Sequence, residues 1–371
     1  MKKITKMVII LLVSACFSSL YSKTINLRSE IEPQLLKICE EEFDFKKFWG
    51  AVLVAKGNEI FLEEAFGYTG PDRSTPLNPT HKFRIASITK QFTAASILML
   101  AERKKINLND KLSDFFEGFP NGEEIKIKNL LNHTSGLETI INSKDLYFEI
   151  MKENGVSILE KTLNYIRKKE ARFKPEEKFY YSNSGYVILG AVIEKISGLT
   201  YAQFIKENIL IPLDMSSSGY DTNEYDSSWA VPCKRISYNP DVVALAPWVN
   251  REIPNGAGGL YSTVYDIYKW HKALNENLLI SEETHRMMET PSNDLMGAGY
   301  GVFSVEVFIN GKYHRLVYHD GATAGTSTRI SRYPDDNIVV IVLSNLEDYD
   351  FAQLTHALAK AVITYLENNG L

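Results

Sequence analysis

"RIASITKQFTA", Arg84 to Ala94, sets a hydroxyl and an amine, Ser87 and Lys90, three residues apart in an otherwise apolar run. Ile85, Ala86, Ile88, Phe92 and Ala94 surround them. Residues three apart on a helix share a face, so a helix starting at Ser87 brings the amine beside the hydroxyl. A serine hydroxyl is a poor nucleophile until a base takes its proton. Apolar neighbours desolvate the amine and lower its pKa toward that of a useful base. A helix N-terminus also offers backbone N–H groups to a developing oxyanion. Alone, S-x-x-K is weak: both residues are common, and the pair arises by chance roughly once or twice in a chain of this size.

Two later stretches add to it. "FKPEEKFYYSNSGYVILGAVIEKISG" carries Tyr181-Ser182-Asn183 just ahead of an apolar helix. A phenol near an ammonium group relays protons, and an Asn side chain both donates to and accepts from a substrate amide. Ser182 or Asn183 also suits a plain helix cap. Tyr180, the neighbouring phenol, reads as packing. "YHDGATAGTS" closes a predicted strand with His319-Asp320-Gly321. Such an edge beside the serine pairs with an extended substrate and donates a second oxyanion N–H; the same residues also make an ordinary turn.

Together the three elements resemble the serine β-lactamase and penicillin-binding protein superfamily, whose set is S-x-x-K, S-D-N and K-T-G. The tyrosine form of the second element points to the class C branch. That branch contains class C β-lactamases, D-alanyl-D-alanine carboxypeptidases, D-aminopeptidases and esterases. "LLNHTSGL", "IPLDM", "GAGGLYSTVYDIYKW" and "VVIVLSN" look similar too, and the likeness runs from about Phe45 to the C-terminus. The resemblance implies that Ser87 is acylated and that Lys90 and Tyr181 share the proton transfers. It implies that Asn183 holds the substrate carbonyl region, and that the backbone N–H groups of Ser87 and Ala322 form the oxyanion hole. His319 stands at the third element's lysine position, as in some peptidases and esterases of the branch. His133, Gly258, Gly259 and Asp266 fall at fold positions. There are two departures. Pro175-Glu176 replaces the Pro-Gly that often precedes the second element. Asp320 replaces the usual Thr or Ser; facing the site, it would repel a substrate carboxylate.

The rest of the chain frames this site. The 371 residues, 44% hydrophobic and 23% charged with a net charge of -5, suit a soluble domain with a large core. No clustered Lys and Arg offer a nucleic-acid footprint. Apolar residues recur at helical spacing from Ser29 to about Phe45. "GAVLVAKGNEIFLEEAFGY" reads as a β-hairpin. Strands return late in "GYGVFSVEVFI", "KYHRLVYHD", "GTSTRISRY" and "NIVVIVLSN", the first pair joined by Asn310-Gly311. "FAQLTHALAKAVITYLEN" closes the chain as a helix.

The expected fold is therefore α+β, β-lactamase/transpeptidase-like. One antiparallel sheet built from both chain ends is covered by the terminal helices, with a helical region inserted. The sheet region spans about 29–80 plus 256–371, the helical region about 81–255, within a single domain over 23–371. Before it, "MKKITK" and "MVIILLV" read as a signal peptide over 1–22. "VSAC" resembles a lipobox, which makes Cys16 a lipidation and membrane-attachment candidate; the alternative is ordinary cleavage that discards it. Cys39 and Cys233 read as two buried thiols. Without CxxC or HExxH, no metal or cofactor is expected.

The expected activity is that of an exported serine hydrolase, periplasmic or at the cell envelope. It would cleave small esters, amides or peptides in esterase or D-aminopeptidase fashion. A carboxypeptidase or β-lactamase, and a catalytically silent binding protein on the same scaffold, are the alternatives. Oligomeric state is left open.

Overall fold

The computed structural model describes residues 27–371 except 44–47, 141–142, 144, 147–148, 151–154, 237–238, 249, 251, 293–295 and 348. The signal-peptide and Cys16 expectations lie outside the described residues.

The core is a six-stranded antiparallel sheet made from both ends of the chain. Its strands are β1 (Gly50–Lys56), β2 (Glu59–Phe66), β3 (Phe303–Ile309), β4 (Lys312–Thr323), β5 (Thr326–Tyr333) and β6 (Ile338–Ser344), in the order β2-β1-β6-β5-β4-β3. The β3–β4 hairpin turns on Asn310 and Gly311, at φ 50° and 89°, the left-handed pair such a turn requires. β6, "IVVIVLS", is buried along its whole length, because both sheet faces are covered and its strand need not alternate.

On one face lie the N-terminal helix α1 (27–43) and the C-terminal helix, Ala352–Asn368. There Ile31, Leu35, Leu358 and Val362 meet Val340 and Val342. The opposite face, with Leu53, Val317, Ile330 and Ile341, packs on a larger cluster that includes α2 (Thr89–Glu102) and α3 (Asn183–Ser197). α2 is buried on every side over its first twelve residues, as the central helix of a large core must be. Phe92 stacks on Trp270 with ring centroids 4.2 Å apart.

The stretch read as helix and loop also holds short strands. Phe83–Arg84 and Gly219–Tyr220 flank Leu260–Ser262, and Cys233–Ile236 pairs with Asn239–Leu245. Of these only Asn239–Leu245 exceeds four residues; the others are too short to show a period in sequence. Cys39 and Cys233 are both buried free thiols, in separate core clusters.

Candidate active site

The short strand Phe83–Arg84 delivers the chain to Ser87. Arg84 is anchored by a buried ion pair, Nε to Asp221 Oδ2 at 2.7 Å. Ile85 N donates to Leu260 O at 3.1 Å. A 3₁₀ turn, Ala86–Ile88, then carries Ser87 into α2, so the α-helix proper begins two residues past Ser87. Ala86 has φ 45°, in the left-handed region that a residue with a Cβ adopts only when its surroundings force it. The force comes from the sheet. Thr328 Oγ1 on β5 donates to Ile85 O at 3.1 Å. On β4, a Cβ added at Gly321 would lie 2.4 Å from Ile85 O and 2.2 Å from Thr328 Oγ1. Glycine there lets β4 press directly on the Ser87 turn.

One helical turn on, Lys90 is fully buried. Its Nζ lies 2.9 Å from Ser87 Oγ, 2.8 Å from Asn183 Oδ1 and 2.7 Å from Ala257 O. Desolvation pulls its pKa well below the ordinary lysine value, which favours the neutral amine. A neutral amine has two N–H groups and one lone pair. The two carbonyl oxygens, which only accept, take both N–H groups. The lone pair is then left for the Ser87 hydroxyl, the geometry of a general base.

Tyr181 lies beside Lys90, whose Nζ sits 5.0 Å from the ring centroid, and burial raises its phenol pKa. It is thus a neutral phenol at rest, fitted to relay a proton rather than to hold a negative charge. The ring lies 4.5 Å from that of His133 and 6.2 Å from that of His319, centroid to centroid. His133 Nδ1 accepts from Ser182 N at 3.2 Å, which positions the residue next to Tyr181. Tyr180 points elsewhere, its OH donating to Glu138 at 2.9 Å under Arg172.

Asn183 opens α3, and its N–H donates to Thr139 Oγ1 at 3.1 Å. With Oδ1 held by Lys90, its Nδ2 is the group left to offer a substrate carbonyl. His319 is buried, and Nδ1 lies 2.6 Å from Asp320 O. A carbonyl only accepts, so Nδ1 carries the proton. Nε2 is an acceptor, buried without a partner among the described residues. Burial brings the His319 pKa down to about 3, so the ring is neutral near pH 7.

Asp320 does not face the site. Successive side chains of a strand point to opposite faces; His319 faces the site, so Asp320 turns to the side of the terminal helices. There its carboxylate pairs with Arg329 at 2.6 Å and is half exposed. Arg329 also donates to Ser331, which bonds Thr355 of the C-terminal helix. The expected repulsion of a substrate carboxylate by Asp320 is therefore withdrawn. Ala322, directly after Gly321, is exposed on the strand's last turn toward Thr323.

Two neighbours of the site have no signature in the sequence. The backbone carbonyl of Ala257 has no side-chain signature, although "GAGGLY" was singled out. Thr93, three residues after Lys90 on the same face, was hidden in an apolar run.

A serine beside a buried lysine and a tyrosine phenol, set where a helical cluster meets the six-stranded sheet, is the arrangement of a serine hydrolase. The Beta-lactamase family model matches residues 45–363, and the chain belongs to that family. It is 29% identical over 325 residues to penicillin-binding protein 4* of Bacillus subtilis (strain 168), covering 81% of this chain and 69% of that one. It is 28% identical over 353 residues to protein flp of Staphylococcus aureus (strain MW2), covering 91% and 68%. A penicillin-binding protein homologue from Pyrococcus abyssi, described as octameric, superposes with TM-score 0.74 at 28% identity over 91% of this chain and 77% of its own. The D-amino acid amidase of Ochrobactrum anthropi SV3 shares the fold at TM-score 0.77 and 21% identity, over 92% and 100%.

Proposed function

We propose that this serine hydrolase opens uncharged ester or amide bonds through an acyl-enzyme on Ser87, with small esters and amides of amino acids as its substrate class. The carrying observation is the Lys90 amine, buried and wedged between two carbonyl oxygens and Ser87 Oγ. In the proposed reaction Lys90 takes the Ser87 proton as Oγ bonds to the substrate carbonyl carbon. The electron pair of the carbonyl moves onto its oxygen, received by the N–H groups of Ser87 and Ala322. As the tetrahedral intermediate collapses, Lys90 and Tyr181 return the proton to the leaving amine or alcohol. Water, deprotonated through the same pair, then releases the acid from Ser87.

The substrate class follows from charge. The third-motif position holds a neutral His319 in place of a cation, and burial disfavours the charged form of Lys90. A substrate carboxylate therefore lacks a charged partner at the third-motif position. The amidase of similar fold fits amide chemistry. A second reading, acylation by penicillins, is favoured by the names of the penicillin-binding relatives. The basic and apolar opening of the chain supports an exported enzyme.

The test is steady-state hydrolysis of an activated neutral ester, a D-amino acid amide and a penicillin by wild type and Ser87→Ala. The ester or the amide should exceed the penicillin in kcat/KM by about tenfold or more, the ratio for one missing charge-assisted hydrogen bond. Ser87→Ala should abolish all three. Equal or faster turnover of the penicillin supports the second reading instead.

A further inference from the structure

Lys90 and Thr93 lie on one face of α2, and both are fully buried. They grip consecutive carbonyls of one backbone turn, 255–257. Lys90 Nζ donates to Ala257 O at 2.7 Å, and Thr93 Oγ1 donates to Gly256 O at 2.6 Å. The Thr93 hydroxyl has one proton. Because that proton goes to a carbonyl, the 2.7 Å contact with the Tyr201 phenol has Tyr201 as donor. The result is a directed chain, Tyr201 to Thr93 to Gly256 O, one peptide away from the oxygen that orients Lys90.

The turn it holds is strained and closely nested. Asn255 has φ 37° and bonds its own successor, Oδ1 to Gly256 N, at 2.6 Å. Two glycines give it room. A Cβ at Gly190 would sit 2.1 Å from Asn255 Oδ1, and one at Gly256 would sit 2.7 Å from Tyr186 O. A backbone in this conformation persists only where its surroundings over-determine it. Among the described residues, Thr93 and Lys90 are the α2 side chains that hydrogen-bond this turn.

We propose that Thr93 and Tyr201 are a positioning pair that sets the orientation and basicity of Lys90 by fixing the Ala257 carbonyl. This rests on the acyl-enzyme reading above. When the carbonyl drifts, the neutral amine loses one of the two acceptors that aim its lone pair at Ser87. An oxygen acceptor also stabilises an ammonium more than an amine, so losing it lowers the Lys90 pKa further. The variants should therefore combine a slower rate with an acid limb displaced to lower pH.

The experiment is the second-order rate of labelling of Ser87 by a fluorophosphonate, followed against pH by intact mass. Thr93→Val keeps the shape and removes the donor. It should label about 10- to 100-fold more slowly, with its acid limb shifted down. Tyr201→Phe should act in the same direction but less strongly, and the double variant should be no worse than Thr93→Val, because the two act in series. Thr93→Ser, which restores the hydroxyl, should recover most of the rate. A Thr93→Val profile that overlays the wild-type profile would overturn the inference, whatever happens to stability. A wild type that does not label at Ser87 would overturn the acyl-enzyme reading and this inference with it.

Discussion

Two of the three oxygens around the Lys90 amine cannot donate a proton, and only Ser87 Oγ can. Rate should therefore follow the neutral amine. The pKa of Lys90 is depressed by burial, so the neutral fraction grows as pH rises through a value below the ordinary lysine range. kcat/KM should show an acid limb there rather than near pH 10. Lys90→Ala and Tyr181→Phe should each cost about 10² to 10⁴ in rate, the range of general acid–base catalysis. Tyr180→Phe, away from the serine, should stay within about twofold of wild type on the same free-energy scale. Asp320→Thr should leave the ester-to-penicillin ratio unchanged, and it should cost more stability than the loss of an exposed pair, because the buried Arg329 guanidinium loses its carboxylate; a changed ratio would return the carboxylate to the site. At this scale the sequence was informative where chemistry follows side-chain type and spacing, as for Ser87, Lys90, Tyr181 and Asn183. The direction of Asp320 was not legible, because it depends on strand phase and on Arg329 across the register. Nor was the strain at Ala86, which tertiary contacts impose.

Among elements, β4 depends on a single absent methyl group. Gly321→Ala forces the strand off the Ile85–Ala86 turn. Overpacking of this kind costs about 1–3 kcal/mol, and displacement of the nucleophile by an ångström costs up to about 10²-fold in rate. Kinetics and urea unfolding of the same variant check both. A second joint lies at the far end of β5. Arg332 is almost wholly buried and donates to Glu289 of the helix Glu282–Glu289 and to His271 of the helix Val264–Asn275. Burial by itself would raise the Glu289 carboxyl, but Arg332, His285 and Arg315 outweigh it and hold it well below the usual range. A depressed carboxyl contributes stability that is complete above its unfolded pKa of about 4.3 and fades as pH falls toward the folded value. Wild type should thus lose stability on acidification below about pH 4 more steeply than Glu289→Gln does. Arg332→Ala should cost at most about 3–5 kcal/mol, the range for breaking a buried ion pair, because Glu289 keeps Arg315 and His285 as partners. The long strands and terminal helices were readable because their periods are long. The two- and three-residue strands that carry Arg84 and Leu260 to the site have no period to read.

The whole molecule brings distant stretches to one seam. Ser87 and Lys90 come from the start of the inserted region, Tyr181 and Asn183 from its middle, and Ala257 and His319 from the returning chain. Sequence order alone supplied the three motifs, but only packing shows which backbone carbonyl meets Lys90. The central claim is that this assembly makes Ser87 the acylated residue. Its most direct test is to quench wild type in acid during turnover of an activated ester and map the adduct by peptide mass. One acyl group should appear on the peptide containing Ser87, and none on any peptide of Ser87→Ala. An adduct on another residue, or unimpaired turnover by Ser87→Ala, would contradict it.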